Sequence, residues 1–326
     1  MINCFHLRFQ LDVVMEFLAQ YGMFALKTFT LVLAILFLLG GIFALRRKPK
    51  NDLTITHVNK EYKHLIAHME KEILGKKSKK PKAKKKSQSP VLYVLDFNGD
   101  IKASQVESLR EEVSAILAVA TNHDEVLIRI DSPGGAVNGY GLAAAQLQRL
   151  RDNNVSITAC VDKVAASGGY LMACVAHQII AAPFAIVGSI GVVAQMPNFH
   201  RWLQKHDVDV ELLTAGEYKR TLTVFGKNTA KGRAKFQAEL ELIHQNFRDY
   251  VLTNRSEMNI DEVATGEHWL AVDALALGLI DQIQTSDEFI INKLATHQAY
   301  HIAVHRKSSL LERILKPTAK LLHPYG

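Results

Sequence analysis

Three short glycine-rich segments hold the residues best suited to chemistry: DSPGG at 131–135, AASGGY at 165–170 and GSIG at 188–191. None fits G-x-G-x-x-G or G-x-x-x-x-G-K-[ST], so nucleotide binding is unsupported. No His/Cys cluster has metal-ligand spacing, and neither a metal nor another cofactor is expected. What remains is Ser167, preceded by Ala165-Ala166 and followed by Gly168-Gly169. Small neighbours let a substrate backbone come close. A serine that opens a helix can be a plain N-cap, accepting from an orphan N–H. The same place offers backbone N–H groups to a developing oxyanion, which acyl transfer requires. On the residues alone both readings stand.

A nucleophilic serine needs a base. His177 lies ten residues after Ser167; on one helix the two would be about 15 Å apart, beyond hydrogen-bond reach. His200 and His206 fall in PNFHRWLQKHD, which reads as a surface helix with no Asp placed to orient either. A Ser-His-Asp triad would depend on the fold bringing one of them back. Asp131, before Ser-Pro, reads as a turn residue.

The elements that must carry these loops alternate. VLYVLDF (91–97), EVLIRIDSP (125–133) and VSITACVD (155–162) are apolar enough for buried strands. Residues 104–119 and 138–152 have helical periodicity, a helix is expected over 167–177, and a long one over about 230–255. Further strands are expected at 178–194 and 209–215. Strands alternating with helices imply an α/β fold with parallel pairing and right-handed crossovers. Residues 178–199 also lack charge, but Pro183, Gly188, Ser189 and Gly191 favour buried strand over a membrane span.

The N-terminal part is of another kind. Residues 28–45, TFTLVLAILFLLGGIFAL, are 18 residues without a charge, roughly 27 Å of helix and close to a bilayer core. Lys27 precedes them and RRKPK follows; no A-x-A cleavage site does. This predicts a single membrane anchor. The net charge of +7 is local: residues 46–86 hold 15 Lys and Arg against 4 Asp and Glu, a local +11 that leaves −4 for the rest. A nucleic-acid-binding domain is therefore not indicated. Residues 51–75 read as an amphipathic helix, and 76–86 hold eight lysines in eleven residues, a solvated linker able to meet anionic lipid headgroups. A compact domain is expected from Val91. Three cysteines, Cys4, Cys160 and Cys174, exclude a disulfide scaffold and are compatible with a reducing compartment.

Taken in order, DSPGG, VDKVAASGGYLMAC (161–174), FAIVGSIGVV (184–193) and TAGEYKRTLT (214–223) resemble the S49 family of signal-peptide-peptidase-like serine peptidases. The four motifs together are specific; any one alone is weak. The resemblance runs from about Met15 to about residue 290, which marks Met15 as an alternative start, and it thins over 291–326. It implies a ClpP/crotonase-like spiral of repeated β-β-α units behind a transmembrane helix. It implies a Ser-Lys dyad: Ser167 the nucleophile, Lys219 in GEYKRT the general base, and Ser189 the serine that orients the lysine. Gly135 and Gly168 match the oxyanion donors, and Gly134 is the weaker candidate. A lysine is almost wholly protonated at pH 7, so the role requires burial, for which 184–194 offers an apolar wall. That wall also suggests small or apolar side chains at the scissile bond, as in signal-peptide remnants or misfolded membrane-associated polypeptides.

The resemblance further implies a homo-oligomer with active sites near subunit boundaries, a bacterial inner-membrane location, and a C-terminal helix-and-turn element at 266–283. On topology two arguments oppose each other. The basic flank after residue 45 places the catalytic part in the cytoplasm, whereas family members work outside it. Residues 308–322 read as an amphipathic surface helix. Two other classes remain: an inactive membrane scaffold that retains the peptidase fold, and a crotonase-like acyl-CoA enzyme, which acyl-CoA binding would reveal.

Overall fold

Val91–Asn98 is apolar on both faces, as a strand buried on both sides must be. In the computed structural model, which describes residues 21–37, 52–75 and 89–305, it is a central strand. The elements in chain order are helix α1 (21–37), β1 (Asp52–His57), α2 (Val58–Leu74), β2 (Val91–Asn98), α3 (Val106–Leu117), β3 (Glu125–Asp131), α4 (Val137–Asp152), β4 (Ser156–Val161), β5 (Val164–Ala166), α5 (Gly168–Ala173), β6 (Gln178–Ala181) and β7 (Ile186–Gly188). There follow α6 (His200–Gln204), α7 (Ala230–Asn254), α8 (Ile260–Val263), β8 (His268–Leu270), α9 (Ala271–Ala276), β9 (Gln282–Ile283), α10 (Ser286–Lys293) and β10 (Gln298–His305). The result is a mixed α/β fold.

The larger sheet runs β1-β10-β2-β3-β4-β6-β9, and its pairings from β10 to β9 are parallel. Alternation on β2 divides the core. Tyr93, Leu95 and Phe97 meet Leu109 and Val113 of α3 and Leu147 and Leu150 of α4. Leu92 and Val94 face the other way, with Leu127, Cys160, Ile180 and the α10 residues Phe289 and Ile290. A smaller sheet, β5-β7-β8, is parallel between β5 and β7 and antiparallel between β7 and β8.

Several expectations shift. The compact unit spans Leu53–His305 rather than starting at Val91 and ending near 290. Its start moves because Asn59 of α2 is buried against the turn into β10, donating to the carbonyls of Leu294 and His297 and accepting from Ala299 N–H. Its end moves because β10 pairs with β2 through Gln298–His301. Helix α5 stops at Ala173, short of 177, because His177 N–H bonds to Ile157 O and draws the chain into β6. Residues 209–215 form no strand, for among the described residues nothing pairs with them. The uncharged stretch 178–199 does supply buried strands, with Ile179, Ile180 and Val187 wholly inaccessible.

Helix α1 is described by itself. It holds residues 28–37 of the expected span, while 38–45 lie outside the described residues, as do the lysine run 76–86 and the helix expected at 308–322. Among the described residues no helix is long and apolar enough to cross a membrane.

Candidate active site

Backbone hydrogen bonds set the three glycine-rich segments side by side. Ser132 N–H bonds to Val164 O and Ala166 N–H returns to Ser132 O, at 2.8 and 3.0 Å, which joins DSPGG to β5. Strand β5 pairs with β7, and Ser167 N–H bonds to Gly188 O at 2.7 Å. Ser189 N–H then bonds to Glu267 O at 2.6 Å, beside β8. Segments far apart in the chain thus meet at the ends of the small sheet.

Ser167 caps α5 with φ +50° and ψ −116°, a conformation costly for any residue with a Cβ. Its side chain caps nothing, which removes the plain N-cap reading. Gly134, at φ +90°, is pressed against this turn: a Cβ there would stand 2.7 Å from Ser167 Cβ and 2.9 Å from Gly168 N. Gly134 N–H is taken by Ser132 Oγ at 3.1 Å. Among the described residues the N–H groups of Gly135 and Gly168 have no acceptor. Ser189 also has positive φ, +53°.

Ser167, Ser189, Gly135 and Gly168 line one cleft of about 760 Å³. Its walls are apolar, from Ile101, Val137, Leu171, Val192, Val193 and from Ile243, Phe247 and Tyr250 of α7. The α7 contribution was not visible in the sequence; its spacing at 243, 247 and 250 reads equally well as an ordinary core face. Lys219 is not brought to this group. It lies in an exposed turn where its N–H bonds to Gly216 O, and it does not line the cleft.

The other nucleophiles and bases have different employment. Cys160 and Cys174 are buried, and burial lifts both thiols, Cys174 to about 12, so neither offers a thiolate. His177 Nδ1 accepts from Ile157 N–H, and burial and Arg151 lower its pKa. His206 Nδ1 is bonded to Trp202 O. None of His177, His200 and His206 lines the cleft, so a histidine triad on Ser167 is not formed. Asp131 ends β3 and pairs with the exposed Lys163. Among the described residues no three His, Cys, Asp or Glu gather as for a metal.

Comparison with known proteins decides the family. Peptidase family S49 matches residues 149–300, and Peptidase family S49 N-terminal matches 16–147. Probable protease SohB of Haemophilus influenzae is 46% identical, over 91% of this chain and 92% of its own. The chain belongs to peptidase family S49. Probable protease SohB of Buchnera aphidicola subsp. Schlechtendalia chinensis is 48% identical over 86% of this chain and 100% of its own. A solved membrane-bound stomatin-specific protease with a substrate peptide is similar at 13% identity and a TM-score of 0.43, covering 72% of this chain and 100% of that one. As a member of S49, this protein is a peptidase.

Proposed function

We propose that this S49 peptidase is a membrane-anchored serine endopeptidase working through Ser167 and Lys219 on a ClpP/crotonase-like spiral. The carrying observation is Ser167 in its high-energy turn lining an apolar cleft, which Gly135 and Gly168, with unengaged backbone N–H groups, also line. Ser167 Oγ attacks the peptide carbonyl while a neutral Lys219 Nζ takes its proton. The oxyanion is held by Gly135 and Gly168 N–H, each worth about 3 kcal/mol of barrier. Lys219 then protonates the leaving amine, and water activated by the same amine releases the acyl group. Ser189 orients the lysine.

The exposed setting of Lys219 gives assembly a role. Residues 192–229 carry exposed Val193, Trp202, Leu212, Leu213 and Phe225, which need a partner surface. Assembly of copies covers that segment and brings Lys219 to a Ser167 in a setting dry enough to neutralise it. Anchoring is supported by 28–45 and by α1, where Thr28 Oγ donates to Phe24 O and Thr30 Oγ to Leu26 O, hiding both hydroxyls from lipid. Lysines 76–86 would meet anionic headgroups. The apolar cleft suits apolar residues at the scissile bond, as in signal-peptide remnants or misfolded membrane-associated chains.

The test compares detergent-solubilised wild type with Ser167→Ala and Lys219→Ala for casein cleavage and fluorophosphonate labelling, with light scattering to monitor assembly. Loss of cleavage in both variants, still folded and assembled, is expected. Activity surviving Ser167→Ala would sink the assignment. An assembled wild type without activity would favour the scaffold reading.

A further inference from the structure

Behind the oxyanion donors lies a buried chain of hydroxyls. Tyr140 and Ser132 are wholly inaccessible, and their oxygens stand 2.6 Å apart. Tyr140 Oη also lies 2.9 Å from Asp100 O, a carbonyl that can only accept. The tyrosine proton is therefore used there, so Ser132 must donate to Tyr140. Ser132 Oγ in turn accepts from Gly134 N–H at 3.1 Å. The sequence runs one way: Gly134 N–H to Ser132, Ser132 to Tyr140, Tyr140 to Asp100 O. Each hydroxyl donates once and accepts once, which fixes the rotor of both.

The tyrosine ring reaches the other half of the site. A Cβ on Gly168 would stand 2.3 Å from Tyr140 Cγ, so the ring lies flush against the backbone of Gly168. One side chain thereby touches both walls. Its ring backs Gly168, and its hydroxyl, through Ser132, holds Gly134, the residue before Gly135. Gly99 seals the pair: a Cβ there would be 2.1 Å from Ser132 Oγ and 2.3 Å from Tyr140 Oη.

From this geometry we infer that Tyr140 is a positioning residue of the oxyanion hole, setting the distance between the Gly135 and Gly168 N–H groups, with Ser132 as its link to the first. The inference rests on the serine–oxyanion reading above. An oxyanion hole works because its donors are placed before charge develops. Loosening the clamp therefore weakens binding of the tetrahedral species and spares ground-state binding.

The experiment uses the full chain in detergent, as wild type, Tyr140→Phe, Ser132→Ala and the double variant. It measures kcat and KM on a fluorogenic peptide. It also measures inhibition by a peptide aldehyde, which forms a tetrahedral adduct, and by the matching peptide alcohol, which does not. Losing a whole donor costs roughly 100- to 1,000-fold in kcat, so a displaced one should cost about tenfold. Tyr140→Phe should lower kcat about tenfold with KM within about twofold, and weaken the aldehyde by a similar factor while sparing the alcohol. The double variant should be no worse than either single one, because the hydroxyls act as a unit. A folded Tyr140→Phe with unchanged kcat, equal weakening of both inhibitors, or losses that multiply would overturn the inference. If Tyr140→Phe does not fold, Ser132→Ala is judged by the same criteria. A wild type that binds aldehyde no more tightly than alcohol would overturn the serine–oxyanion reading itself, and this inference with it.

Discussion

Ser167 holds φ +50° and ψ −116° although it is not glycine, and the surrounding bonds must sustain that angle. Its N–H is tied to Gly188 O and its carbonyl accepts from Leu171 N–H, so the turn cannot relax without breaking both. A glycine would sit there freely, whereas alanine keeps the cost of a Cβ. Ser167→Gly should therefore be more stable than Ser167→Ala by about 1 kcal/mol, with both inactive. Denaturant midpoints of the two variants check this; equal midpoints would mean the turn is not strained. Glu112 offers a second test. It is buried beneath β10, Oε1 accepting from Val304 N–H and Oε2 without a partner among the described residues. Burial lifts its carboxyl from 4.5 to about 7. Between those values the folded chain keeps a proton that the unfolded chain has lost. The contribution of Glu112 is thus full below about 4.5 and falls away as pH rises to about 7. Asp96 behaves oppositely. Burial raises it, but hydrogen bonds from His301 and Arg129 outweigh that and hold it at about 2, so its contribution is lost only as pH drops towards 2. Glu112→Gln should flatten the decline in stability between pH 5 and about 7 and be the more stable chain at pH 8. Thermal denaturation across that range reads both effects.

At the scale of elements, the β1–α2 unit is joined to β10 by strand pairing and by one buried side chain. Asn59 satisfies two carbonyls and one N–H at the approach to β10. Asn59→Ala leaves those buried groups unpaired, which costs about 2–3 kcal/mol. A lower urea midpoint and earlier proteolysis within 52–75 are expected; an unchanged midpoint would show that β1–α2 adds little. The same unit shows where sequence reading stops. The main strands were legible because Val91–Asn98, Glu125–Asp131 and Ser156–Val161 are apolar beyond what a helix face needs. The meeting of DSPGG, AASGGY and GSIG was legible as chemistry, since each puts small residues where strands end. Strand β1 was not, because DLTITH has only three apolar or aromatic side chains and its order depends on β10, more than 240 residues along the chain. The reverse failure is the strand expected at 209–215, where Val210 and Leu212 alternate with Asp209 and Glu211. Alternation describes one face of a ladder and cannot supply the second strand. Tyr140 escaped notice for a similar reason: in NGYGL it is one aromatic among small residues, and only the fold brings its hydroxyl to Ser132.

For the whole molecule, the segment after β7 stands apart from the sheets around which the rest is built. Leu213 is 90% exposed, and the turn bearing Lys219 follows closely. Placing a charge there should leave the folded core intact while opposing burial against another copy. Leu213→Glu should reduce assembly and peptidase activity together, with the melting of the core unchanged, as light scattering and calorimetry would read. Full activity in a dispersed monomer would separate catalysis from assembly. The small sheet bears on something else, the making of the protein. A chain leaves the ribosome amino end first. Ser167 and Ser189 emerge well before His268–Leu270, the strand that pairs with β7 and follows the carbonyl bonded by Ser189 N–H. With Ser167 as the proposed nucleophile, a partly synthesised molecule carries that serine without the backbone that pairs with β7 and accepts from Ser189 N–H. On the reading proposed above, the partly made chain is expected to be inactive until that late strand has been translated and has paired with β7.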